Sequence, residues 1–446
     1  MAIIRFIKAL YLHNRLFYAL ALVAVAFLVS YWVNFIYPLV WWALWGLILL
    51  FFIDCVVLFR GSGNITAQRL LPEKFSNSDE NELPVKIQNN YPFKVSLDII
   101  DEIPVQFQKR DFKKELIIPA KESSLFTYDL RPVERGEYYF GNLNIYASTR
   151  FGIAKRRFTF EKDQLVKVYP SFIQMKKYAF LALDNRLTLL GMKKMRRIGH
   201  TMEFEQIKDY VLGDDVRTIN WKATAKRHQL MINQFQDEKS QPVYCLIDAS
   251  RAMKMPFEGL TLLDYAINST LAFSNIALKK KDKVGLITFA EGIKNHLPAS
   301  SRKVHLNTIL EVLYNVNTKF LDSDFGSLYN QVKRKVSQRS LLIMYTNFEH
   351  ISSLERQLGY LKALSRKHIL VVIFFINTEL DELLNTPAED LPTVYHKTIA
   401  QKADYDKKVM AATLEKYGIQ TILTKPEDLT VNTINKYLEI KARGIL

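Results

Sequence analysis

Asp248 ends an apolar run at 243–247 and is followed by a short polar turn, Ala249-Ser250-Arg251. An apolar strand that stops on a carboxylate, with a hydroxyl two residues on, sets an acid at the carboxyl edge of a sheet. Ligands bind at that edge in open α/β sheets. Further along, Ser323 and Asp324 precede a helical stretch that begins at Ser327, and Asn347 ends another apolar run. Gathered at one edge, these residues make an oxygen-rich cluster of the kind a hard cation such as Mg²⁺ accepts. Such a cation takes about six oxygens, water often among them. Only Asp248 and Asp324 bring charge, so the expected metal binding is weak or absent. Polar capping of a sheet edge accounts for the same residues equally well.

A second constellation lies upstream. His200 precedes Gly213-Asp214-Asp215-Val216-Arg217-Thr218-Ile219-Asn220-Trp221. Two adjacent acids and a histidine suggest a metal-dependent hydrolase. Adjacent residues on a helix point in different directions, however, and no third ligand is placed. Gly213 suits a tight turn, Asp214 or Asp215 can cap the helix that follows, and Arg217 lies three residues from Asp214. The expectation is a structural lock, with hydrolase chemistry through His200, Asp214 and Asp215 as the alternative. Just before it, Lys176, Lys177, Arg186, Lys193, Lys194, Arg196 and Arg197 stand against a single acid, Asp184. Next to a bilayer each such basic residue contributes on the order of 1 kcal/mol toward anionic head groups, and a solvated helix face explains them as simply. Nucleic-acid binding is disfavoured, because no aromatic platform or base-reading motif accompanies the charge.

The elements that must position Asp248 follow from periodicity. Strands read at 243–248, 283–290, 340–347, 368–376 and 420–423, alternating with helices at 261–279, 303–316, 327–337, 354–366 and 404–417 and closed by one at 430–442. Near-continuous apolar strands imply burial on both faces, and the alternation implies a doubly wound, mostly parallel sheet. No glycine-rich loop follows the first strand, so nucleotide binding is not supported. Between 61 and 170 the pattern changes to short alternating runs at 83–88, 95–100, 114–118, 125–130, 138–140, 143–146, 156–160 and 165–169. Strands at this spacing predict an antiparallel β-sandwich. It carries no nucleophile or ligand spacing, so a spacer or interaction module is expected.

The first sixty residues are of another kind. From Leu16 to Phe59 the sole charged residue is Asp54. That length suffices for two crossings at about 20 residues each, with helices at 16–36 and 39–59 and a turn at Asn34 and Pro38. Trp32, Tyr37, Trp41 and Trp42 near the turn fit an interfacial aromatic belt, and basic residues outside both ends place both termini and the soluble domains in the cytosol. A cleaved signal peptide is the rival reading. Asp54 is expected to snorkel to the interface. The formal net charge of +16 fits a basic face beside an anionic membrane, and the two cysteines, Cys55 and Cys245, sit in apolar runs as packing residues. The expected domains are thus 1–60, 61–170, a basic leader with the GDD-to-Trp segment at 171–240, and an α/β domain at 241–446.

The residues at 131–138 (Arg-Pro-Val-Glu-Arg-Gly-Glu-Tyr), Arg150-Phe151-Gly152-Ile153, the GDD-to-Trp segment, and Asp248-Ala249-Ser250-Arg251-Ala252-Met253 together resemble the membrane-anchored domain-of-unknown-function 58 family, whose C-terminal part resembles a von Willebrand factor A domain. The resemblance implies a metal-ion-dependent adhesion site: an Asp-x-Ser-x-Ser turn, a later threonine and a later aspartate. Asp248 and Ser250 match the turn. Ala252 replaces its second serine, Ser323 stands at the threonine position and Asn347 at the aspartate position, so the site is degenerate and Mg²⁺ binding is weakened. The family context further implies a partner of the MoxR-type AAA+ ATPase class. The expectation is a non-enzymatic, membrane-tethered interaction or assembly factor.

Overall fold

The computed structural model describes residues 2–59, 64–161, 163–183, 203–212, 214–236, 240–257, 259–318, 320–377, 383–384, 387 and 390–445. The chain divides into two compact units, 1–168 and 169–446.

The first unit opens with helix α1 (Ala2–Ala9), strand β1 (Leu10–Leu12), helix α2 (Asn14–Ser30) and helix α3 (Tyr37–Phe59). At 23 residues α3 is long and apolar enough to cross a membrane, whereas α2, with 17, falls short of the same measure. Pro38 does not turn the chain but occupies the first turn of α3, where its missing N–H costs nothing. Ten strands follow: β2 (Ile65–Arg69), β3 (Lys74–Ser76), β4 (Asn81–Asn89), β5 (Val95–Asp101), β6 (Lys113–Ile118), β7 (Ser123–Leu130), β8 (Gly136–Phe140), β9 (Leu143–Ser148), β10 (Ala154–Phe160) and β11 (Gln164–Tyr169). They form sheets ordered β1-β10-β9-β5-β6, β2-β4-β7 and β3-β11-β8. In β4 and β5 every second residue is buried, and Leu83, Val85, Ile87, Val95, Leu97 and Ile99 meet in one core. The alternation follows from the two-residue period of a strand. Arg69 is buried in this unit, held by Asp101 and by the carbonyl of Gly141 at 3.2 Å.

Two features of this unit were not expected. β1 adds an edge strand against β10, so the N-terminal residues belong to the β region. Asp54 does not snorkel: it is fully buried. Its carboxylate accepts from the Thr149 hydroxyl and from the backbone N–H groups of Ile153 at 3.0 Å and Ala154 at 2.9 Å. Leu58, near the end of α3, has its carbonyl taken by Arg156 at 2.7 Å and Tyr91 at 3.0 Å, meeting the need of a helix end for donors. The turn that receives Asp54 is Arg150-Phe151-Gly152-Ile153, where Gly152 adopts φ +63°, a conformation that favours glycine. A Cβ there would also lie 3.1 Å from Arg15 Nη1.

The second unit carries α4 (Phe172–Leu183), a two-stranded ribbon of β12 (Glu203–Asp209) and β13 (Met231–Gln236) around the short α5 (Trp221–Arg227), and then the α/β sheet. Its strands are β14 (Pro242–Asp248), β17 (Lys283–Phe289), β18 (Ile293–Ser300), β19 (Leu341–Tyr345), β20 (Ile369–Phe375) and β21 (Gln420–Thr424), and a small hairpin of β15 (Pro256–Phe257) and β16 (Leu260–Thr261) stands apart. The order is β18-β17-β14-β19-β20-β21, parallel throughout except for the antiparallel edge strand β18. Helices α6 (Leu262–Lys279), α7 (His305–Tyr314), α8 (Phe325–Lys335), α9 (Ile351–Lys367), α10 (Leu391–Lys416) and α11 (Leu429–Ala442) complete it. The central strands feed two cores. In β20, Ile369, Val371, Ile373 and Phe375 face one, while Leu370, Val372 and Phe374 face the other. Each such side chain contributes about 1.5–3 kcal/mol by leaving water, which is why the strands read as continuous apolar runs. Cys55 and Cys245 are both buried free thiols.

Replacing Asp54 with alanine would leave the Thr149 hydroxyl and two backbone N–H groups unsatisfied. Each costs about 1–3 kcal/mol when buried. Thermal unfolding of the detergent-solubilised chain should show the first unit strongly destabilised by Asp54→Ala and less so by Asp54→Asn, whose carbonyl keeps part of the acceptor role. Unchanged melting of Asp54→Ala would contradict the docking of α3 on the β region.

Candidate functional site

β14 delivers Asp248 to the carboxyl edge of the sheet between its parallel neighbours β17 and β19. The side chain is buried, and its two oxygens divide the work. Oδ1 accepts from Ser323 Oγ at 2.7 Å and from the Ser250 backbone N–H at 2.9 Å, and Oδ2 accepts from Thr346 Oγ1 at 2.7 Å. Burial pushes the carboxyl above the usual carboxylate range, while the bonds from Ser323, Thr346 and Ser250 oppose the shift. Asp248 therefore ties together three segments: its own turn, the loop before α8 and the end of β19. Above it opens a cleft of about 130 Å³ lined by Ser250, Ala252, Ser323, Thr346 and Asn347, with Arg251, Asp322, Glu349 and Arg356 also on its wall. At the rim Arg251 pairs with Asp322 at 2.9 Å; both are exposed, so the pair contributes little.

Of the residues expected here, Asp248, Ser250 and Ser323 converge. Asn347 lines the cleft, but its amide is engaged elsewhere. Its Nδ2 donates to the Ala252 carbonyl at 3.4 Å, and its Oδ1 accepts from the ammonium of Lys407, which also donates to the Phe348 carbonyl at 2.7 Å. Asp324 is not in the cluster: it caps α8, accepting from Gly326 N at 2.8 Å and Ser327 N at 3.1 Å. Thr346 and Lys407 escaped the sequence reading. Thr346 had a signal, a hydroxyl beside the strand-ending Asn347. Lys407 had none, because it reaches the site from α10, sixty residues away in sequence. Burial draws the Lys407 ammonium down to about 8, with Glu349 pulling it back up.

These residues do not suit a resident divalent cation. Ala252 offers no side-chain oxygen, Asn347 supplies no charge, and its carbonyl oxygen is already held by a cation. Asp248 is the carboxylate that the clustered hydroxyls bond, while Asp322 is paired with Arg251 and Glu349 acts on Lys407, which leaves too little charge for a tight site. Among the described residues no three His, Cys, Asp or Glu side chains converge elsewhere to hold a metal.

In the GDD-to-Trp segment, Gly213 and His200 lie outside the described residues. The two acids act on the backbone. Asp214 accepts from Val211 N and from Lys208 Nζ, both at 3.0 Å, and these bonds draw its carboxyl down. Asp215 caps a 3-10 turn through Arg217 N at 2.9 Å. Asn220 caps α5, accepting from Ala223 N at 3.0 Å, and donates to Asn233 Oδ1 on β13 at 2.8 Å. Arg217 and Trp221 are exposed. The segment is a folded turn in which the acids are already used as acceptors.

Residues 206–389 match the model of a family described as protein of unknown function DUF58. The uncharacterized protein YeaD of Bacillus subtilis (strain 168) is 25% identical over 235 residues, covering 51% of this chain and 56% of YeaD. The chain therefore spans about half the length of that curated relative. Both are likenesses over part of the chain. Among solved structures, the conserved hypothetical protein BatB of Bacteroides thetaiotaomicron aligns at a TM-score of 0.31 and 16% identity, covering 46% of this chain and 99% of BatB. A CARDB domain from Pyrococcus furiosus aligns at a TM-score of 0.18 and 14% identity, covering 24% of this chain and 93% of the domain.

Two measurements test the site. Calorimetric titration of Mg²⁺ into the purified chain should show no saturable heat at submillimolar concentrations. Tight binding would overturn the fit drawn from Ala252, Asn347 and Lys407. Lys407 also sets a pH dependence. Its ammonium pKa is about 8 when folded, against an ordinary 10.5, so the unfolded chain holds more protons between those values. Through this group stability is lost as pH falls through 8 and rises as pH climbs toward 10.5. Denaturant midpoints should show that rise in the wild type and its loss in Lys407→Met.

Proposed function

We propose that this chain is a membrane-tethered interaction protein whose α/β unit, von Willebrand factor A-like in the position of its site, binds a protein partner at the Asp248 cleft without catalysing a reaction on it. The observation that carries the reading is the use made of Asp248. Its carboxylate is fully occupied in holding three loops together, which shapes a recognition edge and leaves no free base. α2 and α3 would form a hairpin anchor, with both termini cytosolic by the distribution of positive charge. The β unit would stand rigidly on α3 through Asp54. A MoxR-type AAA+ ATPase is the partner that the sequence resemblance favours. The hydrolase alternative draws no support from Asp214 and Asp215, which serve as caps and turn acceptors.

A photoreactive amino acid at Gln357, on the cleft wall, tests this in native membranes. A discrete adduct should form, and Asp248→Ala should reduce it by about tenfold or more, since losing the three bonds releases the loops that shape the edge. The same adduct yield from the Asp248→Ala chain, verified as folded by circular dichroism, would sink the proposal. So would the lack of any protein adduct.

A further inference from the structure

The GDD-to-Trp segment is the most specific motif in the chain, and the cleft does not use it. Its polar residues build the turn, so the residues it displays are others. Leu212 is 96% exposed, Trp221 70%, and Val211 and Val216 62% each. These side chains all lie in the connection between β12 and β13, beyond the paired part of the ribbon, and stand in water. A patch of that kind marks a contact surface. Around it stand exposed basic side chains: Arg217 beside Val216, and Lys222, Lys226 and Arg227 on α5. Of the nearby acids, Asp214 is paired with Lys208, and Asp215 by itself offsets only part of the charge of these four basic side chains.

We infer that this tip is a membrane-contact element that inserts Leu212, Val216 and Trp221 into the head-group region of an anionic bilayer, with Arg217, Lys222, Lys226 and Arg227 as its collar. Three observations select lipid over a protein surface. Exposed apolar side chains and exposed cations in one short connection match the polarity of an anionic interface, apolar below and negative above. Tryptophan is favoured at that depth because its ring is apolar and its N–H polar. The same chain carries α3, long and apolar enough to cross a membrane, so a bilayer would be present at high effective concentration without any separate encounter. Contact at the tip would hold the α/β unit at a defined distance from the lipid, independent of what the cleft binds.

A single label tests the idea on the full chain. Both native cysteines are buried, so Leu212→Cys can be labelled selectively with a polarity-sensitive fluorophore after reconstitution into nanodiscs. In phosphatidylglycerol-containing nanodiscs the emission should shift to the blue and an aqueous quencher should lose most of its effect. Both changes should be much smaller in phosphatidylcholine alone and should weaken with added salt. Each of Lys222→Gln, Lys226→Gln and Arg227→Gln should weaken the engagement about fivefold, as expected for one basic contact to an anionic surface. A label at exposed Tyr360 should report no lipid dependence. Equal quenching in both lipids would overturn the proposal. Protection that persists in detergent would also overturn it, and would assign the tip to a protein surface or a second copy. The cleft crosslink does not depend on these residues, so failure here leaves the partner reading standing.

Discussion

A carboxylate taken out of water must be met by donors, and Asp54 and Asp248 are both buried against neutral ones. Asp54 is satisfied by one hydroxyl and two backbone N–H groups, Asp248 by two hydroxyls and one N–H. Neither has a basic partner among these bonds, so each depends on several short segments holding their places at once. A single displaced donor leaves a polar group unpaired at a cost of kilocalories per mole. Each aspartate therefore converts local chain geometry into a cooperative joint. Asp54 joins α3 to the turn between β9 and β10. Asp248 joins the end of β14 to the loop before α8 and the end of β19.

That constraint bears on the metal question. Three hydrogen bonds meet Asp248 directly, and Lys407 holds Asn347. Ala252 and Asn347 add neither a side-chain carboxylate nor a free hydroxyl to the Asp248 cluster. The lysine is itself a compromise, drawn toward neutrality by burial while its ammonium caps the carbonyl of Phe348. The sheet edge keeps its shape through fixed protein groups, which suits recognition better than it suits turnover.

The same economy appears in the ribbon at β12 and β13. Two adjacent acids in a glycine turn suggested chemistry, yet both carboxylates are committed to backbone and lysine partners. Trp221 stays on the surface while Asn220, beside it, does the structural work by bridging α5 to β13.

Local sequence determined the period of most strands of the β region, the apolar length of α3, the alternation of parallel strands with helices and the position of Asp248 at a strand end, but not the antiparallel edge strand β18. These follow from side-chain alternation and burial, which neighbours in sequence already express. Asp324 looked like a site acid for the same reason that it is a cap: an acid before a helix satisfies both descriptions, and sequence does not separate them. The tertiary structure alone decided the rest. β1, three residues long, acquires its identity from β10; Asp54 is buried because a distant turn comes to it; Asn347 is withdrawn because Lys407 arrives from α10. In each case the deciding partner lies tens of residues away or more, and a hydrogen bond between such residues leaves no period or spacing along the chain.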